Sequence, residues 1–179
     1  MSSGRSRSIH PRIEQDGSFT IPVVPEGHYR LQVFFINQAA NSYLADIRQS
    51  AASIFDSGLT VGREAANPIE VQVNSNGASL EGNVLTEDRK PAPRSTVVVV
   101  PASNRRQNSS LYKTAQTDAQ GHFAIAGVAP GSWKLFAWES VQPGAYQNPE
   151  FIQKYESRGT TVTVTTGSRL TSDLMLIRD

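Results

Sequence analysis

Asp16-Gly17-Ser18-Phe19-Thr20-Ile21-Pro22-Val23-Val24-Pro25-Glu26-Gly27-His28-Tyr29-Arg30-Leu31 decides the fold, because the chain writes it again further on. The second copy is Ala119-Gln120-Gly121-His122-Phe123-Ala124-Ile125-Ala126-Gly127-Val128-Ala129-Pro130-Gly131-Ser132-Trp133-Lys134-Leu135. With Phe19 set on Phe123, Ile21 falls on Ile125, Val24 on Val128 and Gly27 on Gly131. Tyr29 then meets Trp133, Arg30 meets Lys134 and Leu31 meets Leu135. A period of about a hundred residues is too long for a solenoid repeat and suits a small domain. Each copy reads as strand, Pro/Gly corner, strand: an apolar alternation, a tight turn, then an aromatic-led alternation.

A chain of 179 residues accommodates two such units, each near the lower size limit for an independent core. The formal net charge is +1 and charged residues make up only 18%, so no basic stripe points to nucleic acid. Arg105-Arg106 reads as a solvated loop tip. The absence of cysteine removes disulfide frameworks, cysteine-based zinc sites and thiol catalysis. No apolar run reaches the length of a membrane-spanning helix, and the N-terminus has no signal-peptide core. Met1 to Ser8, built of Ser, Gly and Arg after the initiator, reads as a disordered leader or tag.

Upstream of the second copy, Ala78 to Leu85 opens a unit as a strand, and Glu87 to Pro93 forms a turn. Thr96-Val97-Val98-Val99-Val100 then gives a β-branched run suited to burial on both faces. A polar tract, Ala102 to Ser110, and a strand from Leu111 to Thr117 follow. The first copy has no such run-up: equivalent strands would need about 40 residues before Met1. The sequence is therefore expected either to be a piece of a longer chain that supplies those strands upstream or to begin with a shortened sandwich that has an open sheet edge. It continues through Tyr43–Arg48 and Ile54–Val61 to Ile69–Val73. Asn74-Ser75-Asn76-Gly77 marks the boundary, and so short a junction implies units set end to end. In the second unit Thr160–Thr165 and Leu174–Ile177 close the sheet. One helix is expected between Asn148, a cap, with Pro149 at its first position, and Gly159 as its terminator.

Gly82-Asn83-Val84-Leu85, Lys90-Pro91-Ala92-Pro93, Val97 to Val100, Thr117 to Phe123 and Gly127 to Leu135 together resemble the carboxypeptidase regulatory-like domain. That is a transthyretin-like (prealbumin-like) β-sandwich, related to the B repeats of collagen adhesins and to starch-binding-like folds. The stretch Phe136-Ala137-Trp138-Glu139, with Pro143 to Phe151, resembles versions found in large envelope-associated or secreted bacterial proteins. The resemblance covers nearly all of the second unit and, in the first, chiefly Asp16 to Leu31. It implies a fold and no chemistry. Some transthyretin-like proteins are hydroxyisourate hydrolases, but the His-bearing motif and terminal signature of those enzymes are missing here. Adhesin repeats often carry a Lys–Asn crosslink, yet Leu80 to Leu85 offers no lysine.

His10, His28 and His122 lack neighbours at ligand spacing, so no metal site is expected. No Gly-x-Ser-x-Gly elbow supports a serine nucleophile, and Asn108-Ser109-Ser110 is a lone sequon. The candidate ligand-binding residues are Trp138, Glu139, Tyr146, Phe151 and Tyr155, with Gln142, Gln147 and Asn148 nearby. Flat aromatic faces rimmed by amides and carboxylates bind sugar rings. The same aromatics could instead bury each other to order their own insert.

The sequence therefore predicts an all-β chain of two tandem Greek-key-like β-sandwiches with one short helix in the second. The divisions are 1–8 (leader), 9–75 (first repeat, lacking its N-terminal strands) and 76–179 (complete repeat). The expected role is a non-catalytic spacer module of a larger exported bacterial protein, in the envelope or outside the cell. Its partners would be other domains of the parent chain; catalytic residues, metal, cofactor, nucleic acid and membrane insertion are not expected. The alternative is a module binding polysaccharide or an envelope protein through the aromatic insert. Phe19→Ala and Phe123→Ala, at matching positions, are each expected to cost about 3–5 kcal/mol.

Overall fold

A computed structural model describes residues 11–34, 41–64 and 67–178; the leader at 1–8 lies outside them. The strands are β1 (Gly27–Tyr29), β2 (Tyr43–Gln49), β3 (Ala52–Ser53), β4 (Leu59–Val61), β5 (Ile69–Asn74), β6 (Ala78–Leu85), β7 (Thr96–Pro101), β8 (Lys113–Gln116), β9 (His122–Val128) and β10 (Gly131–Trp138). Among the described residues a single α-helix, α1 (Pro149–Tyr155), precedes β11 (Thr160–Val164), β12 (Arg169–Thr171) and β13 (Leu174–Ile177). The described chain is all-β and sandwich-like.

In the second unit β6 pairs antiparallel with β9 and parallel with β12. Opposite them lies the ladder β11–β10–β7–β8, antiparallel throughout. β13 runs beside β6 at Leu174 and Met175, then crosses to β10 at Leu176 and Ile177, stitching the two sheets at one corner. The period-two pattern of a strand sends alternate side chains to opposite faces, and β7 and β10 use both. Val97, Val99, Trp133, Leu135 and Ala137 enter the core between the sheets. Val98, Val100, Phe136 and Trp138 enter a second core on the outer face. That outer core is roofed by α1 through Ile152, which is fully buried.

Asn148 caps α1 by accepting a hydrogen bond from the Glu150 backbone N–H at 2.8 Å, with Pro149 in the first turn as the sequence indicates. Gly159 plays a different part from the expected terminator. The helix passes through a 3₁₀ turn, Glu156–Arg158, and Gly159 has φ −80°, which any residue adopts. It is small because a Cβ there would lie 2.5 Å from the Phe136 ring.

The first unit keeps the corner of the second in detail. Gly17 and Gly121 both take left-handed φ, +84° and +78°, and each donates its N–H back to residue 14 or 118. Val23 and Gly127 share a left-handed φ, +51° and +67°. Tyr29 Oη donates to the Pro25 carbonyl at 2.8 Å, as Trp133 Nε1 does to the Ala129 carbonyl at 2.9 Å. β1 pairs with β4 from Gly27 opposite Val61, as β10 pairs with β11 from Gly131 opposite Val164.

The strand before the corner differs. Phe123 is 1% exposed within β9, whereas Phe19 makes one isolated bridge to Ile13 and is half-buried. The expectation that Phe19 plugs a core as Phe123 does is therefore corrected, since no described strand stands where β6 stands in the second unit. The rest of the first unit is the β3–β2–β5 sheet.

Nor are the two units merely end to end. Leu44, Ile47 and Phe55 belong to the same apolar cluster as Leu80, Phe123 and Trp133. Asn108 Nδ2 donates to the Phe55 carbonyl at 2.9 Å, Arg105 Nε pairs with Asp56 at 2.9 Å, and the Arg105 guanidinium lies 5.3 Å from the Phe55 ring centre. At the junction the Gly77 N–H donates to the Asn41 carbonyl, and a Cβ on Gly77 would lie 2.6 Å from that oxygen. The short junction turns the units onto each other because the apolar faces of β2 and the Phe55 loop have nowhere else to be buried.

Candidate functional site

The aromatic insert is the candidate site, and most of it is interior. Trp138 is fully buried, stacked on Phe136 at 5.2 Å and met edge-on by Tyr155 at 5.7 Å. Phe151 lies 5.9 Å from Trp138 and 5.1 Å from Tyr155, and Tyr146 tilts against Tyr112 at 6.2 Å. Offset and edge-to-face ring geometry of this kind packs an interior. Trp138 therefore offers no face to a ligand, and its place among the candidate binding residues is corrected. Strand parity puts it on the Phe136 side of β10, and α1 closes over that side. Phe151, Tyr155 and Tyr146 are half-buried at the rim, while Glu139, Gln142, Gln147 and Asn148 are exposed. The Trp138 indole N–H has no hydrogen-bond partner, the one such buried side-chain atom among the described residues.

Where the insert reaches the surface, Glu139, Ser140, Val141, Gln142, Ala145 and Phe151 line a half-open groove of about 490 Å³. Glu139 and Arg178 face each other at 3.7 Å beside it, both exposed. This groove brings together Glu139 and Phe151 of the sequence candidates, with Gln142; Trp138, Tyr146 and Tyr155 do not line it.

The sequence reading missed an ionic fastening beneath the insert. Arg106 forks onto Glu156, Nη1 to Oε2 at 3.0 Å and Nη2 to Oε1 at 3.1 Å. Lys134 Nζ donates to the Glu156 carbonyl and to Oε1, each at 2.7 Å. The bidentate Arg106 contact, then Lys134, holds the Glu156 carboxyl below the usual carboxylate range. Arg106 is thus no solvated loop tip, and Arg105 is committed to Asp56. Only the fold brings these three together, so no spacing rule could have found them.

The remaining polar candidates have structural duties. His28 Nδ1 sits 3.3 Å from Thr60 Oγ1, His122 lies beside Asp118, and His10 is outside the described residues. Among the described residues no group of three or more His, Asp or Glu side chains is placed to hold a metal ion. The sequon Asn108 is buried and spends its amide on Phe55 and Asp56. No helix of the described chain is long and apolar enough to cross a membrane.

Comparison with known proteins adds a family match over the second unit. The family model described as polysaccharide lyase family 4, domain II, an fn3-type domain, matches residues 89–172. No curated protein matches the chain. A candidate carbohydrate-binding protein from Pseudomonas aeruginosa is 12% identical over 55% of this chain and 87% of its own, with a TM-score of 0.36. Another from Bacteroides uniformis is 10% identical over 55% and 40%, TM-score 0.34. The major pilin subunit of Bacillus cereus is 9% identical over 60% and 34%, TM-score 0.32. At these values the solved structures carry no assignment of function. The family match supports a β-sandwich domain at residues 89–172, coarser than the carboxypeptidase regulatory-like resemblance.

Proposed function

We propose that this chain is a non-catalytic structural module of a larger exported bacterial protein, its carboxypeptidase regulatory-like repeats holding neighbouring domains in place outside the cytoplasm. The observation that carries this reading is how the polar groups are spent. Arg105, Arg106, Asn108, Lys134, Asp56 and Glu156 all tie loops and the insert to the sandwich. What the chain repeats is a corner that determines a fold, with no reactive group repeated beside it. A panel of hydrolase and lyase substrates tests it. Turnover that disappears with one side-chain substitution, in a protein that still folds, would remove this reading.

The groove over Phe151 favours a second reading, a module that binds polysaccharide. It pairs an apolar ring edge with a carboxylate and an amide, and its size is that of a small-ligand cleft. Glu139→Gln and Gln142→Ala alter the groove without touching the aromatic core. Glycan-array binding lost in both variants, at unchanged melting temperature, would favour it; an empty array would discard it.

A further inference from the structure

We infer that Asn76 is a self-modification site held in check by the junction between the two units. When the junction opens, Gly77 attacks the Asn76 side chain, and the isoaspartyl product keeps the junction from closing again. Asn76-Gly77 is the only Asn-Gly step in the chain. Glycine has no Cβ to shield its backbone nitrogen, so this step is the one most open to attack by the following amide on an asparagine side chain. The Gly77 nitrogen gives its proton to water and bonds to Asn76 Cγ; the Cγ–Nδ2 bond breaks, and ammonia leaves with a proton returned from solvent. Water then opens the cyclic imide at either carbonyl. One opening leaves aspartate at position 76, and the other routes the main chain through the side chain as isoaspartate. Water is the co-reactant, and nothing is oxidised or reduced.

The closed junction withholds the attacking group. Gly77 is buried, and its N–H donates to the Asn41 carbonyl at 2.8 Å. Its Cα is wedged between that carbonyl and the Gly127 backbone: a Cβ there would lie 2.6 Å from the one and 2.8 Å from the other. On the preceding residue the Asn76 carbonyl accepts from the Gly167 N–H at 2.9 Å. Asn76 itself is exposed, so its carboxamide is in water and lacks only a free nucleophile. Asn41 leads into β2, whereas Gly127 and Gly167 belong to the second unit. The Gly77 nitrogen is therefore released when the contact between the units opens. The consequence is lasting. Isoaspartate adds an atom to the main chain between the Gly167 and Asn41 anchors. The flanking strands run into ladders of fixed register, Asn74 opposite Tyr43 and Ala78 opposite Val128. A lengthened chain cannot keep both registers and the Gly77–Asn41 bond.

Peptide mapping by mass spectrometry, on the full chain incubated at neutral pH with and without denaturing guanidinium, tests this. Conversion of Asn76 should be slower in the folded chain by about tenfold or more. Ile47→Ala loosens the core that the units share, and should speed conversion in the folded chain by about tenfold or more while residues 122–128 stay protected from exchange. Ile47→Val should give a smaller rise, and decides the matter if the alanine chain does not fold. Chain aged in guanidinium, refolded and enriched in isoaspartate should exchange faster at residues 43–49 than Asn76→Asp, which has the same side-chain change on a main chain of ordinary length. Equal conversion in folded and unfolded chain overturns the inference, as does a rate indifferent to the Ile47 variants. Equal exchange in the isoaspartyl and Asn76→Asp chains overturns it too.

Discussion

At position 23 a β-branched side chain stands where the second copy has Gly127, and both backbones are left-handed. An L-residue pays about 1–2 kcal/mol in that region, while glycine costs part of this back through the unfolded chain. Val23→Gly is therefore expected to stabilise the first unit by roughly 1 kcal/mol, read as a higher urea midpoint with unchanged slope. Burial separates the two phenylalanines of the repeat. Phe123→Ala should cost about 3–5 kcal/mol, and Phe19→Ala clearly less, because Phe19 already keeps part of its ring in water; equal losses would mean that Phe19 is enclosed. Lys113 is half-buried near Leu111 and Trp133, and burial lowers its pKa. Its folded-state pKa lies below the unfolded one, so it favours folding increasingly as pH rises through that interval. Lys113→Met should raise the melting temperature at neutral pH and flatten this alkaline rise.

On the scale of elements, the insert from Glu139 to Gly159 is held by ring packing above and ions below. Gly159→Ala drives a methyl group into the Phe136 ring. Overpacking of this kind typically costs about 1–3 kcal/mol, and here it should loosen α1 first, seen as faster exchange at Ile152. The ionic fastening has its own pH signature. The Glu156 carboxyl is depressed by Arg106 and Lys134, so its contribution is complete above the ordinary glutamate value, about 4.3. It is lost as pH falls through the lower folded value. The protection of residues 150–155 against exchange, relative to the intrinsic rate at each pH, should therefore fall in acid, and Glu156→Gln should reproduce that fall at pH 7. An acid-insensitive insert would show that ring packing alone retains it.

For the whole molecule the shared core governs behaviour. Ile47, from the first unit, is 2% exposed within the cluster that contains Leu80 and Trp133. Ile47→Ala should cost about 2–5 kcal/mol and lower a single calorimetric transition. Two resolved transitions, only one of them moved, would show that the units unfold independently.

Local rules were enough for much of this architecture. The duplicated corner, the two-faced burial of Val97 to Val100, the Asn148–Pro149 helix start and the strands on either side follow from period, turn chemistry and capping, which act within a few residues. Parity even separates Trp138 from Trp133. What covers a face is another matter, since it depends on groups distant along the chain. The roof of α1 over Trp138, the Arg106–Glu156–Lys134 fastening, Phe136 against Gly159 and the merging of the units at Phe55 all arise that way. The candidate site was half legible for the same reason: composition marked an aromatic insert, but solvent access belongs to the packed molecule, and packing turned Trp138 inward while leaving Glu139 and Phe151 at a groove.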